Sequence, residues 1–535
     1  MKKNALIVIG LAALLPAGAA AQSAVDAYNI TPTQLRGTAR FIAMGGAFTS
    51  LGGDLSSMTQ NPAGLGLYRK SDIGLTFDLS FRKYNTTTDQ GKYSENKTVA
   101  KFDNIGYVGV ANLSGAMKSF SWGVSYNRIN VFDRQYSGYN MPTQTSLSNY
   151  IASFTNGVNS DNLLFEKDKY NPYIDGNEDW LSILAYNSML ISNTTDNTEY
   201  TGLFQNGTEG DALYNIKESG FTDEYNIDFA GNINDVVFWG LGVGIVDMEY
   251  RREAVYSESM AGALVYNSGT NSLVNGNAGF SLSNLKYTRG SGANLKFGLI
   301  VRPVEMLRLG VAIHTPTWLS LTHTGYGEID FNYTPDNAGG KTDSGNEYTD
   351  NYDYDSRLSS PWRFMVGASA VLGSQAILSL DYERVAYGDM SMKAPNYSSF
   401  GGNFVEDKLG NEDIKNYFKA SNIVRIGAEY RVTPSFSIRA GYNYQTTNVK
   451  SDAADNKLQI YTVGTDPSYS FDKATQNISV GIGYRYHGWY IDATYQHTRR
   501  ESTFHAYTPF AGLATPQADR VDSYNNVVIS TGFRF

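Results

Sequence analysis

The sequence contains no cysteine among its 535 residues and only 14 prolines. Without cysteine, the chain can form no disulfide framework and cannot carry a lipid anchor on an N-terminal cysteine. Beyond residue 21, no run approaches the roughly 18 to 20 apolar residues that a membrane-spanning helix requires, which excludes a helical membrane protein. The formal net charge of −9 argues against a nucleic-acid partner.

Glycine and tyrosine are abundant, with 53 and 39 residues, and aromatic residues make up 13% of the chain. The first residues combine Lys2-Lys3, the apolar run Ala5 to Leu15 and small residues before Gln22, which are the three parts of a cleaved secretory signal. We therefore predict a signal peptide over residues 1–21. An exported chain of this composition is typical of a transmembrane β-barrel, and a large soluble β-sandwich or propeller is the alternative.

Hydrophobicity alternates with a period of two from Ser71 to the last residue. The first stretch places on one face Ile73, Leu75, Phe77, Leu79 and Phe81. About fourteen such stretches follow one another, an even number as in bacterial barrels. The chain ends on the alternating stretch Val527 to Phe535, which suits a last strand that closes against the first. A soluble sandwich would instead bury the apolar faces between two sheets.

The connections between these stretches alternate in length. The short ones lie near residues 232–235, 302–304, 373–374, 433–435 and 487–488. The long ones lie near residues 84–102, 133–220, 251–281, 331–353, 391–421, 449–473 and 506–523. Short turns at one end and long loops at the other are typical of an outer-membrane barrel. We therefore predict an all-β fold, a transmembrane antiparallel β-barrel of about fourteen strands over residues 71–535.

A glycine-rich, nearly uncharged segment, Ala43 to Leu67, precedes the first strand. Its glycines allow tight turns and close backbone packing, and Asn61-Pro62 is a strong turn signal. Nothing in this segment alternates like a strand. We predict that residues 22–70 form a plug, or hatch, inside the lumen of the barrel.

The hatch segment, taken with the strand count, resembles the FadL-like family of outer-membrane transporters for long-chain fatty acids and other hydrophobic compounds. The pattern that carries the resemblance consists of Gly45, Gly46, Ala47, Phe48, Leu51, Asp54, Asn61, Pro62, Ala63, Gly64 and Leu65. In that family the pattern forms an N-terminal hatch that closes a fourteen-stranded barrel. Two interpretations remain open, a hatch that moves as a gate and a buried plug without a moving part. If the hatch is a gate, substituting Asn61 or Pro62 lowers uptake.

The third stretch changes phase partway along its length. Apolar residues are in phase up to Tyr126, and the next ones are Ile129 and Val131. This slip predicts a β-bulge around Asn127 and Arg128. The resemblance implies that the third strand kinks inward and opens the wall sideways, and a bulge that only adjusts the twist is the alternative.

The largest predicted extracellular loop, 133–220, contains two stretches with helical spacing. The resemblance implies that this loop offers a first docking surface for hydrophobic ligands. The candidate docking residues are Phe154, Trp180, Leu181 and Leu184. The alternative is that the apolar faces pack on each other and cap the barrel.

Several cationic residues alternate into the predicted lumen and could pair with a ligand carboxylate. They are Arg82, Lys296, Arg425, Arg439 and Arg485. Catalytic chemistry is sparse, because a dyad built on His497 or His505 has no nucleophile or acid singled out by spacing. The acidic loop from Asp336 to Asp355 could hold calcium, but a solvated loop explains its composition too. We predict no enzymatic activity, no cofactor and no metal site.

Together these features predict a channel in the bacterial outer membrane for passive uptake of hydrophobic small molecules, with long-chain fatty acids implied by the resemblance. The expected partners are the hydrophobic ligand, outer-membrane lipid and the barrel-assembly machinery. We expect a monomer and no nucleic-acid partner. The alternative function is a non-transporting barrel that serves as a docking platform for secreted or surface proteins.

Overall fold

The computed structural model describes residues 22–166, 168–194, 196–336, 341–373, 375–396 and 403–535. The predicted signal peptide, residues 1–21, lies outside the described residues. Within these ranges, no helix has the length and apolar character needed to cross a membrane.

The chain is built mainly of β-strands. In chain order these are β1 (Asp72–Thr88), β2 (Gly91–Asn112), β3 (Met117–Val131), β4 (Arg134–Pro142), β5 (Ser192–Asn193), β6 (Tyr200–Thr201), β7 (Glu209–Ile233), β8 (Val237–Asn267), β9 (Ser272–Val304), β10 (Leu307–His314), β11 (Trp318–Pro335), β12 (Asp343–Tyr348), β13 (Tyr352–Ser359), β14 (Arg363–Leu372), β15 (Ala376–Val385), β16 (Ser391–Pro395), β17 (Phe404–Glu406), β18 (Ser421–Arg431), β19 (Phe436–Gln445), β20 (Tyr469–Tyr486), β21 (Trp489–His505) and β22 (Gln517–Arg534).

The helices are short and lie in the N-terminal segment and the extracellular loops. They are α1 (Ala24–Ile30), α2 (Ala39–Ala43), α3 (Ser57–Gln60), α4 (Leu147–Thr155), α5 (Pro172–Asp175), α6 (Trp180–Asn187), α7 (Lys408–Tyr417) and α8 (Ser451–Ala454), with 3₁₀ turns at Pro62–Leu67, Ser160–Asn162 and Tyr387–Asp389.

Fourteen of the strands close into one antiparallel barrel, and this confirms the predicted fold class. Their order around the barrel is β1, β2, β3, β7, β8, β9, β10, β14, β15, β18, β19, β20, β21 and β22. The last strand pairs with the first, with Phe533 opposite Ile73, so the sheet closes into a barrel. The remaining strands extend or cover the extracellular end.

The apolar face of the barrel points outward. In β1 the outward residues Ile73, Phe77, Leu79 and Phe81 are 39% to 54% exposed, whereas the inward residues between them are buried. A single closed sheet with an apolar exterior and a polar interior is suited to lipid as its surrounding solvent. The soluble sandwich is therefore the wrong alternative.

The wall is tall on one side and short on the other. Strands β8 and β9 have 31 and 33 residues, whereas β14, β15 and β19 have 10 residues each. The predicted loops at 84–102 and 251–281 are largely paired strand, because hydrogen-bonded ladders continue to Thr88 opposite Gly91 and to Asn267 opposite Ser272. The extension of β1 and β2 is mostly polar, and that of β8 and β9 carries its apolar residues on the inward face, so a search for outward apolar residues underestimated the length of both.

The predicted long loop at 133–220 folds over the open end. Helices α4 and α6 pack with the tops of β7, β8, β9 and β11 in one apolar cluster that includes Leu147, Ile151, Leu184 and Ile329. We call this folded loop the cap. Below the cap, residues 22–70 lie inside the barrel as the hatch that the sequence predicts, and β1 begins after them at Asp72.

Candidate functional site

The hatch rests directly on the backbone of the barrel wall. Gly45 and Gly46 have φ values of 63° and 77°, which favour glycine. A Cβ atom on Gly45 would lie 2.7 Å from the carbonyl oxygen of Tyr442 in β19. This close approach explains why the hatch motif contains glycine at this position.

Glycines on the inward face of the wall receive the hatch in turn. In each case a Cβ atom would collide with a hatch atom, at the following distances: Gly240, 2.2 Å from Ala63 N; Gly298, 1.8 Å from Asn61 Oδ1; Gly310, 2.2 Å from Thr49 O; Gly427, 2.5 Å from Met44 O; and Gly441, 2.1 Å from Gly45 N. Five wall strands, β8, β9, β10, β18 and β19, therefore contribute to this seat. We call these five glycines the hatch seat.

Asn61 joins two parts of the hatch to each other and to the wall. Its Nδ2 donates to the carbonyl oxygens of Thr49 at 2.6 Å and Val311 at 3.3 Å, and its Oδ1 accepts from Ala63 N at 3.1 Å. Pro62 takes the first position of the following 3₁₀ turn, where no intrahelical N–H donor is needed. The hatch motif thus acts as a fully buried structural joint.

Ion pairs add a second attachment of the hatch to the wall. Arg40 Nε lies 2.9 Å from Glu429 Oε2, and Arg36 pairs with Asp78 and Asp103. Burial alone would lower the pKa of the Arg36 guanidinium, but the two carboxylates hold that pKa above its usual value. These side chains link the hatch to β1, β2 and β18.

At the N-terminal end of the hatch, Asp26 of α1 accepts a hydrogen bond from Lys286 Nζ of β9 at 2.7 Å. Burial alone would raise the pKa of the Asp26 carboxyl, but the Lys286 ammonium holds that pKa below its usual value. The hatch is therefore anchored at its start as well as at its centre.

Above the hatch lies a lumen cavity of about 210 Å³. The hatch stretch from Ile30 to Arg36 forms one side of it, and the wall forms the other. Its apolar lining includes Ile129, Val246, Leu319, Val385 and Ile423, and its polar lining includes Asn130, Asn294, Arg363, Arg425, Asn477 and Asn526. The cavity therefore has the mixed character that an amphiphile would match.

The predicted lumen cations point inward, but most already have protein partners. Lys296 Nζ lies 2.6 Å from Glu224, Arg439 Nε lies 2.6 Å from Glu429, and Arg425 pairs with Glu383. Arg82 donates to the carbonyl oxygen of Asp133 at 2.6 Å. Of the five, Arg82 and Arg425 line the cavity, and Arg425 keeps Nε and Nη1 without a hydrogen-bond partner in the described part of the chain.

Arg485, the fifth predicted lumen cation, is half-buried near the end of β20 that leads into the short turn to β21. It forms no ion pair with the described residues. It is not part of the cavity lining, so the structure separates it from Arg425.

The wall is interrupted beside β3. The ladder between β2 and β3 stops at Asn104 opposite Asn127, while β2 continues to Gly91 paired with β1. Between β3 and β7 the register shifts from Arg128 to Asn130, directly beside the predicted position at Asn127 and Arg128. Arg128 itself is held by Asp223, with Nε 2.8 Å from Oδ1.

Beyond the register shift the chain stays paired with β7, through Phe132 N to Gly220 O and then through β4, but it is no longer paired with β2. The Phe132 ring packs on Tyr250 of β8 at 5.1 Å between centroids. The carbonyl oxygen of Asp133 accepts from Tyr84 of β1 at 2.7 Å. The wall between residues 91–103 and residues 128–142 therefore has side-chain contacts in place of a backbone ladder, and we call this stretch the lateral break.

The lateral break adjoins the lumen cavity. Ile129 and Asn130 line both, and the hatch lies immediately behind them, with Gln34 Nε2 donating to Val131 O at 3.0 Å and Asn130 Nδ2 donating to Pro32 O at 3.1 Å. At its lower end the Phe102 and Tyr126 rings stack at 5.7 Å. The phase slip after Tyr126 was the signal for this feature, but sequence reasoning missed Asp133 and the hatch stretch behind it.

The predicted docking surface of the extracellular loop is only partly a surface. Leu181 and Leu184 are 4% and 0% exposed, so their assignment as docking residues is wrong. Helix α6 is buried from residue 181 to residue 185 in the apolar cluster, and only its two ends are half-buried. The Trp180 ring is half-buried against Tyr173, whereas Phe154 is 41% exposed.

The histidines of the described strands have structural partners. His314 Nε2 lies 2.8 Å from Gln60 O, and His323 lies between the hydroxyls of Thr288 and Ser356. No group of three or more His, Cys, Asp or Glu side chains suited to a metal ion occurs in the described ranges.

The architecture is similar to three solved structures. A Pseudomonas aeruginosa FadL homologue matches with a TM-score of 0.50 at 13% identity over 94% of this chain and 99% of that chain. The P. putida toluene transporter TodX matches with a TM-score of 0.48 at 14% identity over 94% and 99%, and the CymD monoaromatic hydrocarbon channel with 0.44 at 12% over 94% and 98%. No family model and no curated protein matches the sequence. At these identities the likeness is one of fold.

Proposed function

We propose that this chain is a monomeric channel of the bacterial outer membrane, inserted by the barrel-assembly machinery, for passive uptake of hydrophobic small molecules. The lateral break carries the proposal. It interrupts the wall beside the lumen cavity, at the height of the outward residues Leu79 and Phe81. A ligand leaving the cavity there would enter the apolar layer of the membrane without crossing the hatch.

The finer part of the proposal concerns the ligand, for which we favour an amphiphile such as a long-chain fatty acid. An acyl chain would gain about 25 cal/mol for each Å² of apolar surface removed from water. The polar groups of the cavity, above all the unpartnered nitrogens of Arg425, suit a carboxylate better than a plain hydrocarbon.

A blocked lateral break tests the proposal. Ile129 lies at the register shift, and Ile129→Trp would fill the passage, whereas Ile227→Trp places the same ring on the lipid face of β7. Both variants are purified, checked for the folded barrel by gel mobility without heating, and compared for uptake of a radiolabelled fatty acid in cells. We expect Ile129→Trp alone to reduce uptake, by at least tenfold. Equal uptake in the two variants contradicts the proposal.

A docking platform is the second candidate, and the extracellular cap is the observation that favours it. The cap has its own buried apolar cluster and closes the open end of the barrel. A correctly folded protein that binds no fatty acid and no aromatic hydrocarbon would support this function. A pull-down with the purified barrel, immobilised so that its extracellular loops are accessible, would then identify the partner.

A further inference from the structure

A lysine, a glutamate and an asparagine meet on the inward face of the wall, beside the hatch. Lys296 Nζ of β9 lies 2.6 Å from Glu224 Oε2 and 2.5 Å from Asn226 Oδ1, and both of these residues belong to β7. The lysine also donates to Met58 O of the hatch at 3.3 Å. Lys296, Glu224 and Asn226 are 2%, 4% and 1% exposed. An amine, a carboxylate and a primary amide are therefore in contact in the buried interior of the barrel.

The register of the sheet brings these side chains together across an intervening strand. Lys296 lies opposite Gly242 of β8, and Gly242 lies opposite Asp228 of β7. Gly244, two residues further along β8, lies opposite Asn226. Because β8 presents two glycines to the lumen here, the lysine side chain crosses over that strand and reaches β7. Two strands that are not neighbours in the barrel are thus in side-chain contact.

The amide of Asn226 is placed for attack by the lysine. Its carbon Cγ is one C=O bond, about 1.2 Å, beyond the oxygen that Nζ contacts. Nζ therefore lies at most about 3.7 Å from Cγ, close to the separation of about 3 to 3.5 Å at which reacting atoms stand before a bond forms. Nδ2, the nitrogen that would leave, is buried and has no hydrogen-bond partner among the described residues.

Glu224 is placed to take the proton that the lysine must lose before it can react. Its Oε2 accepts from Nζ, and its Oε1 accepts from Asn294 Nδ2 at 2.9 Å. Two opposite charges are costly in a buried site, so transfer of one proton from Nζ to Oε2 costs less there than in water. Glu224 and Asn294 also line the lumen cavity, which gives released ammonia a way out.

We propose that Lys296 and Asn226 form an intramolecular isopeptide bond, with Glu224 as the proton acceptor. One Nζ proton passes to Glu224 Oε2, and the neutral amine then forms a bond to Cγ of Asn226. The Cγ–Nδ2 bond breaks, and Nδ2 leaves as ammonia with a second Nζ proton. The third proton stays on the new amide nitrogen and Glu224 ends as a neutral acid, so the step requires no oxidant and no cofactor. In a chain without cysteine, this bond links β7 covalently to β9 at the level of the hatch.

The test is a peptide map of the full-length barrel purified from outer membranes. Tryptic digestion and mass spectrometry should yield a cross-linked species that joins the Asn226 peptide to the Lys296 peptide and is lighter than the two together by one ammonia molecule. Asn226→Ala should yield two separate peptides. The control is Asn443→Ala, which removes a buried lumen asparagine whose Oδ1 accepts from Asn477 and not from a lysine, and it should keep the cross-link. On denaturing gels of boiled samples, wild type and control should migrate ahead of Asn226→Ala, because the link closes the intervening chain into a loop.

Separate and unmodified Asn226 and Lys296 peptides from the wild type would overturn the inference and leave a buried ion pair beside a hydrogen bond. The role of Glu224 is tested by Glu224→Gln, which should assemble without the cross-link, and a cross-link at the wild-type level would overturn that role. If Glu224→Gln does not assemble, Glu224→Asp, which draws the carboxylate back, should be cross-linked in fewer chains than wild type. Equal cross-linking in Glu224→Asp and wild type would likewise remove Glu224 from the reaction.

Discussion

The lumen cavity is sealed in two different ways, by the hatch below it and by the lateral break beside it. The hatch seat brings backbone against backbone through five glycines, and buried ion pairs such as Arg40 with Glu429 reinforce it. The lateral break is spanned by side chains, namely the partly exposed Lys97 and Lys101 on the Asp133 carboxylate and the buried Tyr84 and Arg82 on the Asp133 carbonyl oxygen. The hatch is held by close packing and ion pairs on five wall strands, and the lateral break by a small set of side-chain contacts.

The difference indicates where the cavity opens at the lowest free-energy cost. Lifting the hatch would separate close-packed backbone from several strands at once and leave buried polar groups without partners, at about 1 to 3 kcal/mol for each such group. Parting the lateral break disrupts two partly exposed ion pairs, which contribute about 0 to 1 kcal/mol each, and the two hydrogen bonds to the Asp133 carbonyl oxygen, which is fewer contacts than the hatch makes. The lateral break is therefore the contact that we expect to open more readily, and the hatch the one that we expect to stay in place.

The largest expected effect comes from disturbing the hatch seat. Gly298→Val places a Cβ atom 1.8 Å from Asn61 Oδ1, so the hatch must shift while the barrel strand accepts valine. We expect the overpacking to destabilise the seated hatch by about 1 to 3 kcal/mol, and we expect the variant barrel to conduct ions in planar bilayers. Gly91→Val is the control, since its nearest neighbouring atom is 3.7 Å away. If the Gly298→Val barrel conducts no ions, the contact between the hatch and the hatch seat is not what closes the lumen.

A smaller effect is expected at Asn61, and it distinguishes a hatch that stays in place from a hatch that moves as a gate. Asn61→Leu keeps the size of the side chain but leaves the Thr49 carbonyl without its donor, at a cost of about 1 to 3 kcal/mol. Hydrogen exchange of residues 45–67 should become faster, while fatty-acid uptake stays within twofold of wild type. If uptake falls in proportion to the faster hydrogen exchange, the result supports a hatch that moves as a gate and contradicts a hatch that stays in place.

Loosening the lateral break should have the opposite sign. Asp133→Asn removes the carboxylate that Lys97 and Lys101 share, and a loss of about 1 kcal/mol should raise the uptake rate by up to about fivefold. Asp519→Asn is the matched control, because it breaks an ion pair with Lys473 on the exposed surface. Initial rates of radiolabelled fatty-acid uptake are measured for both. Slower uptake in Asp133→Asn would mean that the break does not limit the rate.

Sequence periodicity predicted the barrel well because the alternation of β1 is enforced by lipid on one side and a polar lumen on the other. It failed in the extensions of β8 and β9, because there the apolar residues lie on the inward face, in the cluster with the loop helices, and the polar residues lie outward. This is the reverse of the pattern in the lower part of the same strands, where the outward face is apolar. In helix α6 the pattern identified a genuine apolar face but not its surroundings, since Leu181 and Leu184 lie one turn apart on the same face and both are buried in the apolar cluster of the extracellular loop.

The candidate site was only partly accessible from the sequence. The hatch glycines and the phase slip near Asn127 are local signals, and both mark real features of the backbone. Asp133 has no local signal, because its partners Tyr84 and Lys101 belong to other strands. The five predicted lumen cations point inward, but alternation could not show that acids of neighbouring strands already pair with most of them.

The smallest expected effect is a difference in salt sensitivity between the two seals. The lysine side chains that pair with Asp133 are about one quarter to one third exposed. A salt concentration of 1 M, at which the Debye length is about 3 Å, should therefore weaken these two ion pairs. The Arg40–Glu429 pair is at most 10% exposed and should not respond. Hydrogen exchange of residues 128–135 should therefore become about twofold faster between 0.05 and 1 M salt, with residues 39–46 unchanged. Equal acceleration of both segments would mean that the hatch and the lateral break open in one motion. It would contradict the claim that the lateral break opens while the hatch stays in place.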